Sequence, residues 1–228
     1  MFRVAVTLVF GLTLTSACCD KETKRLQSHW LRTLESYALS PVELERRTNE
    51  KSESLNISPG QTTQGDLFEG REISGFIFVQ HYGFWFDVTN KSSRSIRLLW
   101  PEARYLDEKG VRHELFRQPM GALPPPSEMR ISKPVTVEAG GRVHDVIAPI
   151  YKSYLVASGC KDLVPYREPL IPTKLDDKNE HQMKVYVDDL ARRQVPVRLL
   201  LPIEIEGMRY DYTFTFVLKD RWSDLPKQ

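Results

Sequence analysis

The sequence predicts a mainly β protein: an antiparallel sandwich of seven or eight strands, preceded by a short N-terminal helical segment. Three observations carry this. Apolar and polar residues alternate at period two along several stretches. Turn-forming residues interrupt those stretches at short intervals, and strands do not alternate with helices as they would in a parallel sheet. The 228 residues are 41% hydrophobic and 27% charged, an ordinary globular composition. With 32 basic and 30 acidic side chains the formal charge is +2, which gives no electrostatic basis for nucleic-acid binding.

Arg3 supplies a minimal basic region, and Val4 to Leu14 is an apolar run too short to span a bilayer. Thr15-Ser16-Ala17 then places small residues before Cys18. This arrangement resembles the lipobox of bacterial lipoproteins, although Leu14 stands one place further from the cysteine than in that family. The resemblance implies that residues 1–17 are a signal peptide and that Cys18 becomes the acylated first residue. Cleavage of an ordinary secretory signal after Ala17 is the alternative. Both export the protein. With Cys18 acylated, Cys19 and Cys160 remain in an oxidising compartment as a candidate disulfide, or unpaired.

Residues 18–70 read as a helical segment and linker. Leu26, Trp30, Leu34, Tyr37 and Ala38 fall on one helical face. Ser40-Pro41-Val42-Glu43 then matches the start of a second short helix: an N-cap Ser, Pro at the first helical position and Glu three residues after the cap. Ser52 to Gly65 is rich in Ser, Gly, Thr and Gln and suits a linker or extended arm.

Residues 71–228 form the expected sandwich domain. Ile73 to Gln80 is apolar enough for a buried strand, with Gly75 marking a bulge. Tyr82 to Phe116 reads as a meander. Phe84, Phe86 and Val88 face one way, and Trp85, Asp87 and Thr89 the other. Pro101 closes the strand holding Ile96, Leu98 and Trp100, and Asp107-Glu108-Lys109-Gly110 is a turn with Gly in the left-handed position. Short strands follow at Val135–Val137 and Val143–Ile150. Residues 151–179, with three prolines and scattered charge, suit an irregular insertion. Met183 to Val187 suits a strand and Asp188 to Arg193 a helical turn. The chain closes on a hairpin, Val197 to Ile205 against Tyr210 to Leu218, in which Pro202 implies an edge or a bulge.

No catalytic signature emerges. GxSxG, HExxH, GxGxxG and the P-loop are absent from the sequence. His81, His113 and His144 lie on different elements, so a metal site would need them to converge in space. No catalytic, metal or cofactor residues are assigned. His144 and Asp145 are neighbours on a strand and point to opposite faces, so this Asp does not orient this His. Trp85 stands on the face away from Phe84 and Phe86. It is therefore exposed at an interaction surface or covered, with Leu26, Trp30 and Leu34 as the expected cover. Trp30 and Trp85 are the candidate interaction residues.

The signal ending in Cys18, with FDVTN, IRLLW, YLDEKGVRH and VEAGGRVHDVIAP, resembles a loose set of uncharacterised bacterial envelope lipoproteins with an immunoglobulin-like sandwich. The resemblance implies a membrane anchor, a periplasm-facing location and no particular activity. Asp directly after the acylated cysteine retains such proteins at the inner membrane. Here Cys19 precedes Asp20, which favours the outer one. The expected role is a non-catalytic surface for an envelope protein partner. An enzyme, or a ligand or metal carrier, with its site in residues 151–179 is the competing expectation.

Overall fold

The computed structural model describes residues 37–49, 51–58, 65–80, 83–118, 133–150, 153–158, 162–167, 170 and 180–220. The strands in chain order are β1 (Tyr37–Arg47), β2 (Ser52–Ser58), β3 (Asp66–Glu69), β4 (Ile73–Gln80), β5 (Gly83–Asn90), β6 (Ile96–Leu98), β7 (Arg104–Leu106) and β8 (Arg112–Gln118). They continue with β9 (Val135–Val137), β10 (Arg142–Pro149), β11 (Ser153–Ser158), β12 (Asp162–Arg167), β13 (Pro196–Ile205) and β14 (Met208–Asp220). A helix, α1 (Glu180–Arg193), precedes β13.

The protein is mainly β, but it is not an immunoglobulin-like sandwich. Ten strands form a closed antiparallel barrel in the order β14-β1-β2-β3-β4-β5-β10-β8-β7-β13, and β13 pairs back onto β14. The reason lies in residues 37–58, expected to be helix and linker. They are β1 and β2, the two staves that join β14 to β3. Without them the remaining strands would leave two open edges. The capping pattern at Ser40-Pro41-Val42-Glu43 loses to tertiary burial. Leu44 is fully buried against the core, and a register shift between Pro41 and Glu43 absorbs the proline.

The meander expected across Tyr82–Phe116 is also corrected. β5 pairs with β4 and β10, whereas β6 pairs with β13 and β9. Asn90 redirects the chain between them. Its side-chain amide donates to the carbonyls of Arg94 (2.7 Å), Val137 (3.0 Å) and Glu138 (3.0 Å), and its Oδ1 accepts from Ser92 N at 2.9 Å. Only β7 and β8 form the expected hairpin, around Gly110 at φ 76°.

The C-terminal hairpin is continuous from Pro196↔Val217 to Ile205↔Met208, through Glu206 (φ 50°) and Gly207 (φ 78°). β13 is an interior stave, not an edge. Pro202 O accepts from Leu99 N, so the missing Pro donor points to the same side, toward a 3-10 turn at Trp100–Glu102 that interrupts β6 and β7. The neighbouring strand detours where β13 has no donor.

Inward residues fill the barrel. Phe84 meets Tyr105 and Phe216, Phe86 meets Trp100 and Phe214, and Phe68 meets Phe214, with centroids 5.2–6.5 Å apart. Helix α1 closes one end. Val187 and Leu190 pack on Leu218 beside Tyr37 and Leu39, and Tyr186 donates to Glu108 at 3.0 Å. At the other end the inward Arg46 bonds Glu72 and Glu53 and stacks over Tyr210, while Tyr212 donates to Glu72 at 2.7 Å. Burial, reinforced by Glu72, pushes the Tyr212 phenol well above its ordinary range. Residues 183–187, expected as a strand, belong to α1. Within 151–179, β11 and β12 form a separate antiparallel pair.

Gly75 is not a bulge. The β4–β5 register runs without a break, and a Cβ at Gly75 would stand 1.8 Å from the Asp87 carbonyl oxygen. Gly75→Ala is expected to cost about 3 kcal/mol or prevent folding, because backbone has to move. Gly110→Ala, with open space but positive φ, is expected to cost about 1–2 kcal/mol. Urea denaturation of both variants checks the contrast, and equal costs would contradict it.

Candidate functional site

Parity on β4, β5 and β10 builds the candidate site on the outside of the barrel. The registers Phe76↔Asp87↔His144 and Phe78↔Trp85↔Val146 place these six side chains in two adjacent rows across the outer wall. Leu67, opposite Phe76 on β3, extends the first row and is 51% exposed. Phe76, Phe78 and Trp85 are half-buried. The His144 ring stands edge-on to Trp85 at 5.6 Å and to Phe76 at 6.3 Å, which locks the three rings together.

The polar centre of this wall is Asp87. Its carboxylate side chain is only 4% exposed although it faces outward. Arg142 grips both carboxylate oxygens, and His144 Nδ1 lies 3.1 Å from Oδ2. The Arg142 side chain is 61% exposed and that of His144 36% exposed. An approaching surface therefore meets the guanidinium and the imidazole, with the acid beneath them. Asp87 raises the already high Arg142 pKa further through the hydrogen bonds and the opposite charge.

Trp85 thus sits where parity placed it, on the outer face and half-buried. Trp30, Cys18, Cys19, Cys160 and His81 lie outside the described residues, as does the helix expected to cover Trp85. His113 and His144 do not converge: His113 faces inward beside Tyr105 and Asp107, and His144 faces outward. Among the described residues no group of three or more His, Cys, Asp and Glu is placed to hold a metal ion. Asp145 points inward, opposite Phe86, and bonds Arg117 with one oxygen. Burial pushes its carboxyl above the usual range against the pull of Arg117.

The sequence reading missed Asp87 as the partner of His144. A signal existed in Arg142 and His144, two apart on one strand and so on one face. The β5–β10 register that brings Asp87 opposite His144 was not readable. The rest of the described exterior is mixed: charged side chains stand on β1 (Glu43, Glu45, Arg47), β7 (Arg104), β8 (Arg112, Glu114), β13 (Arg198, Glu204) and β14 (Arg209, Asp211), while Leu106, Leu200, Val217 and the buried Phe116 also face outward. A bilayer-spanning barrel carries an apolar band around its outside and a polar interior. Here the interior is aromatic, and charged side chains stand on most of the described outer strands. No helix among the described residues is long and apolar enough to cross a membrane. Comparison of the chain with protein-family models, curated proteins and solved structures found no match.

Two outcomes test the site's energetics. Removing the acid in Asp87→Ala leaves a guanidinium and an imidazole that can reach water, with an expected cost of about 1–2 kcal/mol. Removing the guanidinium in Arg142→Ala strands a buried carboxylate on His144 alone, and the larger loss of stability is expected. Chemical denaturation in which Arg142→Ala is the milder change would contradict this ordering.

Acid sensitivity is expected to come from the end nearer α1. Burial raises the Asp107 carboxyl, but bonds from His113 and from the N–H groups of Val111 and Lys109 prevail and hold it below the usual range. A lowered folded pKa gives stability that is present above the unfolded value, about 3.9, and lost as pH falls through the folded one. The raised Asp145 acts in the opposite sense. Asp107→Asn should therefore differ from wild type in urea midpoint at pH 7 and converge with it as the pH falls below the unfolded value and through the lowered folded one. A constant difference across that range would remove Asp107 from the account.

Proposed function

We propose that this chain is a lipid-anchored protein of the bacterial cell envelope, periplasm-facing and attached through Cys18, that acts by surface contact and not by catalysis. The observation that carries the contact reading is the division of the barrel. Its interior is filled by Phe68, Phe84, Phe86, Tyr105, Phe214 and Phe216, while one outer wall collects Leu67, Phe76, Phe78 and Trp85 around a neutralised Asp87. An enzyme or carrier needs a concave site with convergent polar groups. The groups brought together here lie on a convex wall. The anchor reading is supported by the apolar run Val4 to Leu14 and the small residues before Cys18. The Cys18 anchor fits the outer membrane, since Cys19 separates it from Asp20, and the polar walls then face envelope protein partners.

Replacing Cys18 with Ser should abolish labelling by a radiolabelled fatty acid and move most of the protein from the membrane to the soluble periplasmic fraction. Wild-type protein that never labels, together with an unchanged distribution of the variant, would overturn the anchor.

A further inference from the structure

A tethered barrel presents one wall to the bilayer, and the composition of the exterior distinguishes which. We infer that the outer wall of β3, β4, β5 and β10 docks on a phospholipid surface, with Leu67, Phe76, Phe78 and Trp85 in the interfacial zone. This rests on the anchor reading and names the surface that the aromatic wall contacts.

Three features point to lipid. The first is residue type: Trp and Phe with a half-exposed Leu are the side chains that settle at a membrane interface, and the described outer walls of β1, β7, β13 and β14 carry charge instead. The second is charge. Of the two carboxylates on the wall, Asp87 is covered and the exposed Glu69 is paired with Lys91, and what projects over Asp87 is the Arg142 guanidinium and the His144 imidazole. That places N–H donors beside apolar rings, the arrangement that pairs headgroup phosphate with acyl chain. The third is the tether. Tyr37 enters at the α1 end of the barrel, and Phe78, Trp85 and Val146 form the row nearer that end, with Ser74, Thr89 and Arg142 further away. Fully extended, the chain from Cys18 to Tyr37 spans about 60 Å, enough to let the barrel lie on its side.

Mature full-length protein, held through its anchor in vesicles of phosphatidylethanolamine and phosphatidylglycerol, supplies the test. Trp30 and Trp222 are replaced by Phe, so that Trp85 and the core Trp100 emit. Brominated acyl chains quench an indole at the interface and leave Trp100, 2% exposed inside the barrel, bright. Trp85 should lose roughly half of its emission, the depth of an interfacial side chain being within reach of the bromines. The loss should vanish in Trp85→Phe and shrink in Leu67→Ser. Emission indifferent to bromination would overturn the inference, as would shielding of Trp85 that requires an added envelope protein.

A Cys18→Ser chain at high lipid separates the two readings. Trp85 quenched in that chain, with wild type carrying no lipid, removes the anchor and keeps the docking wall. Wild type anchored with Trp85 unquenched removes the docking wall and keeps the anchor.

Discussion

Closure of the barrel depends on β13, the stave that meets β14 along its whole length on one side and two separate strands on the other. A long strand with an unbroken neighbour on each side has no tolerance for proline. Pro202 is accommodated because the opposing chain leaves the ladder at Trp100–Glu102 and returns as β7. The same detour delivers Trp100 and Tyr105 into the interior, where they meet Phe86 and Phe84. One missing donor and one short 3-10 turn therefore fit each other. Together they let ten strands close around a solid core.

That core outweighs every ionic feature of the surface. Truncating an inward Phe to Ala costs about 3–5 kcal/mol in a packed interior. Exposed pairs such as Arg97–Glu204 or Arg192–Asp189 contribute at most about 1 kcal/mol each. The ends are different, because polar groups there are partly buried and must be matched. Arg46, Glu72 and Tyr212 bond one another at one end, with Arg46 Nε left without a partner among the described residues, and Asp107 bonds two N–H donors and His113 at the other. These networks guard the rims of the barrel against water more than they add stability.

The β character, the final hairpin, the turn at Gly110 and the outward parity of Trp85 were legible because each is written in local alternation or turn chemistry. Closure was not. It depends on Tyr37–Arg47 and Ser52–Ser58, whose local signals favour a helix cap and a polar linker. Only long-range pairing with β14 and β3 makes them strands. The separation of β5 from β6 was hidden for a related reason: adjacent alternating runs look like a meander, and the bonds of the Asn90 side chain to Val137 and Glu138 come from a distant segment. Glu180–Arg193 was divided between strand and helix because Val185-Tyr186-Val187 is β-prone. Packing of Val187 and Leu190 across the barrel end decides for the helix.

His144 and Asp145 show how one strand serves two environments. His144 points out, completes the cover over Asp87 and braces Trp85; Asp145 points in, toward Phe86, with Arg117 as its partner and one oxygen without a partner among the described residues. Both acids of this region are buried, yet they differ in kind. Asp87 accepts a two-point grip from a side chain that remains in water, so its charge is offset where a visitor would meet it. Asp145 is only half offset, and burial pushes it toward its neutral form. The wall covers Asp87 with a guanidinium and an imidazole beside half-buried rings, whereas Glu69 on the same face stays in water beside Lys91. An interior already filled with aromatic rings offers little room for a ligand.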